Sequence, residues 1–130
     1  MKNFLFAILT ISVITIAFLI FSSDIDGKNE RFLAQFGLEI DKKPLSFEEI
    51  EIPESFDSVY ESYNIMQISS GFDLSRYKGK KAVRYTYKIL NFPDNSNVFV
   101  NLICIKGKPV AGDICCPALD GFILPLDYLK

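Results

Sequence analysis

Val83-Arg84-Tyr85-Thr86-Tyr87-Lys88-Ile89 alternates apolar and polar side chains without a break. That period belongs to a strand with one face buried. Pro93-Asp94-Asn95-Ser96-Asn97 follows as a turn by composition. Val98 to Ile105 is then apolar on both faces except at Asn101, as expected of a central strand. Gly107-Lys108-Pro109 reads as a second turn, and Val110 to Cys115 as a third strand interrupted at Gly112. Strands joined this closely form an antiparallel meander.

Upstream, the pattern changes period. After Pro53, the residues Phe56, Val59, Tyr60, Tyr63 and Met66 share one helical face, with Glu54 and Asp57 in the first turn where the helix dipole favours negative charge. The spacing predicts a helix over Glu54–Ser69, ended by Ser70-Gly71. Leu38–Asp41 and Glu49–Ile52 each alternate and predict two short strands, with Lys42-Lys43-Pro44 as the turn between them. Phe32, Leu33 and Phe36 predict a short helix over Glu30–Phe36, with Gly37 as its left-handed stop. Pro117–Lys130 reads as an ordered tail packed on the domain. The expected fold class is α+β, in the order α-β-β-α-β-β-β, with the amphipathic helix packed on an antiparallel sheet.

Further upstream lies an uncharged run from Phe4 to Phe21, preceded by Lys2 and followed by Asp24 and Asp26. As a helix it would span about 27 Å, close to the hydrocarbon thickness of a bilayer. The charge bias leaves the N-terminus in the cytoplasm and the domain outside. Ser22-Ser23 supplies small residues but no Ala-x-Ala cleavage site, so an uncleaved transmembrane anchor is preferred to a removed signal peptide. The expected organisation is an anchor over 1–23, a tether over 24–29 and an extracytoplasmic domain over 30–130.

Composition bounds the function of that domain. Beyond Lys2 the chain carries 13 basic and 16 acidic residues, net −3, without a basic cluster. Nucleic acid is therefore not an expected partner, nor is docking on an anionic lipid surface expected. Histidine is absent, which removes the usual general base and zinc ligand. No cofactor, metal or catalytic set is expected. The 12 Phe and 6 Tyr supply ample core material.

Four residues are candidates for chemistry. Cys115 and Cys116 suggest a thiol function, although no Cys-x-x-Cys spacing is present, and with Cys104 they number three, which leaves an unpaired thiol. Strand spacing puts Cys104 and Cys115 out of disulfide reach, so free thiols are expected. Small apolar residues on a buried sheet are the plainer reading of all three. Asp113 and Asp120 bracket the pair and offer acid–base or cation chemistry. Against it, Asp113 can face solvent, and Asp120-Gly121 is a turn dipeptide. Lys78-Gly79-Lys80-Lys81 lacks the glycines and hydroxyl of a phosphate loop. The run Glu48-Glu49-Ile50-Glu51 reads as a charged edge strand guarded against aggregation.

Three blocks in order, Gly71-Phe72-Asp73-Leu74-Ser75-Arg76-Tyr77-Lys78-Gly79-Lys80, Arg84-Tyr85-Thr86-Tyr87 and Gly112-Asp113-Ile114-Cys115-Cys116-Pro117-Ala118-Leu119-Asp120-Gly121-Phe122, resemble a family of small Firmicutes proteins, domain-of-unknown-function family 4830. The resemblance covers about Arg31 to Phe122. It implies one N-terminal hydrophobic segment and an extracytoplasmic domain, and supplies no activity, cofactor or site residue. Leu38, where such proteins would carry an aromatic residue, and the tail Ile123–Lys130 depart from the pattern. The leading expectation is a membrane-anchored binding or interaction module with a protein or peptide partner at the cell envelope. A thiol-dependent enzyme or redox sensor using Cys115 or Cys116 is the alternative, and a structural or regulatory subunit of an envelope complex the third.

Overall fold

The structure, a computed structural model, describes residues 25–93 and 97–130. It is an α+β arrangement of two helices and a five-stranded antiparallel sheet whose strands lie in sequence order. The anchor expected over Phe4–Phe21 and the turn residues 94–96 lie outside the described residues. Among the described residues no helix is long and apolar enough to cross a membrane.

Among the described residues the first helix, α1, covers 25–34. It starts earlier than the sequence predicts: residues 25–29, expected as part of a tether, are helical, and Asn29 is buried. The reason is tertiary. Asp26 Oδ1 accepts from the Tyr87 hydroxyl at 2.9 Å, and Asn29 Nδ2 donates to the Tyr87 hydroxyl oxygen at 3.0 Å. Gly37, at φ +76°, stops the helix as expected. The Leu38 amide donates to Leu33 O and the Gly37 amide to Ala34 O, the pair of bonds of a Schellman motif. Leu33 and Leu38 are both buried beside it, the hydrophobic contact that accompanies the motif. An aliphatic side chain therefore suffices at position 38.

Residues 38–41 do not form the predicted strand. They contribute one isolated bridge, Ile40 to Ile89. Strand β1 (Ser46–Glu51) begins earlier than expected and pairs with β2 (Lys81–Lys88). Its residues are exposed apart from half-buried Ile50, as befits an edge. The second helix, α2, runs over Ser58–Ser69 rather than from Glu54, because the Asp57 side chain caps it by accepting from the Tyr60 amide at 2.8 Å. A 3₁₀ turn (Leu74–Tyr77) leads into β2.

Strands β3 (Phe99–Ile105) and β4 (Lys108–Cys116) are joined by Lys106-Gly107, both at positive φ, the geometry of a two-residue hairpin. The turn thus lies one residue before the predicted one, and Pro109 belongs to β4. A register shift follows: Ile103 pairs with Ala111 and Cys104 with Pro109, leaving Val110 as an extra residue. The tail is ordered and supplies the fifth strand, β5 (Phe122–Leu124), then a 3₁₀ turn (Leu126–Leu129).

Strand alternation divides the sheet into two faces. On one, Tyr87, Ile89, Val100, Leu102, Cys104, Ile114 and Cys116 pack with Leu33 of α1 and Leu126. On the other, Ala82, Ile103, Val110 and Ala111 pack with Ile52, Leu74, Tyr60 and Tyr63. The first is the main core.

Candidate functional site

Asn101 is the polar residue of the otherwise apolar central strand, and the register makes it the middle of a row. Ser46, Thr86, Asn101 and Asp113 pair side by side across β1, β2, β3 and β4. All four fall on the face carrying α2. The Thr86 hydroxyl donates to Asn101 Oδ1 at 2.7 Å, and Asn101 Nδ2 donates to Asp113 Oδ1 at 3.1 Å. Above the row, Tyr63 of α2 donates its hydroxyl to Asp113 Oδ2 at 2.5 Å. Cys115, two residues along β4, lies on the same face, with its sulfur 3.4 Å from Asn101 Nδ2. Arg84, one row away, forms an ion pair with Glu48 across β1 and β2.

Electrostatics follow from burial. Asp113 is only 5% exposed. Burial raises its carboxyl above the usual range, while the bonds from Tyr63 and Asn101 and the charge of Arg84 pull the other way. Burial and the Asp113 charge raise the Tyr63 phenol, so it remains a donor. The Cys115 thiol is raised by burial and then by Asp113. A reactive cysteine needs the opposite, a lowered value beside a cation.

The four sequence candidates therefore separate. Asp113 and Cys115 come together through Asn101. Cys116 points to the opposite face and is buried in the main core. Asp120 is exposed in the turn before β5, away from the row. No disulfide joins the three cysteines, and burial pushes Cys104 up to about 12. Sequence reading missed Tyr63, Thr86 and Arg84 as members of the cluster. Asn101, as a polar exception inside an apolar strand, was its visible signal. The buried stripe of α2 also differs from the predicted one. Asn64 and Gln67 are its buried residues, and Val59 is exposed. Asn64 Oδ1 accepts from the Leu74 amide, and Gln67 Oε1 accepts from the Gly112 amide at 2.9 Å. These bonds satisfy backbone groups that the helix covers, so polar residues take the inner positions.

What remains accessible on this face is a half-exposed band beyond α2: Thr86, Lys88, Phe99, Asn101 and Cys115, bordered by exposed Arg84 and Ile123. It mixes two cationic side chains, amide and hydroxyl groups, and apolar surface. Among the described residues no three Cys, Asp or Glu side chains come together in a way that could hold a metal ion.

A family model described as "Domain of unknown function (DUF4830)" matches residues 32–111. The matched segment contains Tyr63, Arg84, Thr86 and Asn101 and ends before Asp113. No curated protein and no solved structure matches the chain.

Proposed function

Because the chain belongs to the family described as "Domain of unknown function (DUF4830)", a description that carries no reaction, we propose its function from its own residues: a membrane-anchored, extracytoplasmic binding module that recognises a protein or peptide segment without transforming it. The anchor is supported by the uncharged run Phe4–Phe21 and the charges that flank it. The observation that carries the binding reading is the half-exposed band on the α2 face, which pairs apolar Phe99 and Ile123 with Arg84, Lys88, Thr86 and Asn101. A strip of mixed character suits a polypeptide segment, whose backbone needs donors and acceptors while its side chains need apolar contact.

The same face argues against catalysis. The buried carboxylate of Asp113 is held by two donors, and the only half-exposed thiol, Cys115, is raised rather than lowered. The thiol reading retains one favourable observation, the partial exposure of Cys115.

In-cell photo-cross-linking from position 88 or 123, with mass spectrometry of the adducts, tests the proposal. One reproducible polypeptide at either position supports it. A protein made at its normal level that captures none there would defeat it.

A further inference from the structure

The opposite face also carries exposed apolar surface. Leu45 and Phe47 are 61% and 66% exposed, both on or beside the edge strand β1. The Phe47 ring lies 6.4 Å from that of Tyr85, which stacks 6.5 Å from Tyr87, whose hydroxyl binds Asp26 of α1. A chain of ring contacts thus runs from the exposed Phe47 through Tyr85 and Tyr87 to Asp26 of α1. Lys42 and Lys43 border the same region, sharing an open cleft with Asp26, Gly27 and Glu30.

Chain length then decides what this patch faces. Only residues 22–24 separate the apolar run ending at Phe21 from helical residue 25, and the next residue, Asp26, accepts from the Tyr87 hydroxyl of the sheet. Whatever its conformation, that link reaches at most about 14 Å. The headgroup layer is itself roughly 5–8 Å deep on each side. We infer that the domain rests directly on the outer surface of the bilayer through Lys42, Lys43, Leu45 and Phe47, with the α2 face turned away from the lipid. The inference rests on the anchoring reading above. Leucine and phenylalanine gain by entering the headgroup–acyl boundary, and lysines beside them reach phosphates. Tethering makes such weak contacts effective, since the surface is never far away. The domain's acidic balance therefore does not oppose it as it would oppose a freely diffusing protein. Glu49 and Glu51 share the face of Phe47 but lie further along β1 from this patch.

The chain contains no tryptophan, so a single one reports its own surroundings. The full chain carrying Phe47→Trp, or Ile65→Trp on the far face of α2 as reference, is placed in vesicles of phosphatidylethanolamine and phosphatidylglycerol with brominated acyl chains. Emission from Phe47→Trp is expected to shift to the blue and to lose most of its intensity to bromine. Emission from Ile65→Trp is expected to stay red and unquenched. A chain that withstands alkaline carbonate washing yet leaves Phe47→Trp unquenched overturns this inference while the anchor stands. A chain that washes off overturns both. A blue shift without quenching, together with a cross-linked dimer, assigns the patch to a second copy and likewise overturns the inference.

Discussion

Asp113 is conspicuous in sequence, and in the fold its side chain accepts from Tyr63 and Asn101. Its carboxyl is almost fully buried and raised by that burial. The folded state therefore holds a proton at pH values where the unfolded chain, with an ordinary value of about 3.9, has released it. Stability from this group is greatest at low pH and falls as pH rises from the unfolded value through the folded one. Asp113→Asn removes that slope: urea titrations across the window should show the wild type losing stability relative to the variant as pH rises. The Cys115 thiol, raised by burial and by the same carboxylate, should react with iodoacetamide more slowly than free cysteine. In urea the difference should vanish. Faster alkylation in the folded state would revive the thiol-enzyme reading. The signal in the sequence at this scale was Asn101, because a polar residue in an apolar strand must be bonded to something. Its partners were not legible, because Thr86 and Asp113 reach it only through strand register.

At the scale of elements, periodicity located α2 and the meander but misassigned the inner face of α2. Tyr60 and Tyr63 were read correctly as packed, while Asn64 and Gln67 occupy the buried positions. A periodicity argument counts apolar residues, and these amides earn burial by bonding backbone groups far along the chain. Strand β4 carries a second element-level constraint at Gly112. A Cβ there would lie 2.7 Å from Leu126 Cδ1 and 2.8 Å from the Asn101 carbonyl oxygen. The glycine lets the C-terminal 3₁₀ turn close over the sheet. Gly112→Ala should cost about 1–3 kcal/mol in chemical denaturation, the usual range for overpacking. The sequence marked this glycine only as an interruption of a strand. Leu38–Asp41 failed as a strand because a single bridge to Ile89 ends where Lys42-Lys43-Pro44 leaves the sheet.

For the whole molecule, the decisive feature is the docking of residues 25–29. Asn29 sits in the core with its amide on the Tyr87 hydroxyl, and the Cys104 thiol donates to its Oδ1 at 3.9 Å. A domain beginning at residue 30 leaves the buried Tyr87 hydroxyl short of both Asp26 and Asn29. It should unfold at lower urea concentration than one beginning at residue 25, by an amount of order 1–3 kcal/mol. Equal midpoints would mean that these residues act as a tether after all. By itself, the sequence determined the α+β class, the helix stop at Gly37, the meander and the absence of a histidine-based site, because periodicity, turn composition and residue counts are local properties. Only the tertiary structure decided that Asp113 and Cys115 share a face that Cys116 does not, that polar residues line the inside of α2, that the tail supplies β5, and that no slack separates α1 from the sheet. Each of these depends on which distant groups a side chain meets once strand register and helix docking are set, and such partners leave no period in the sequence.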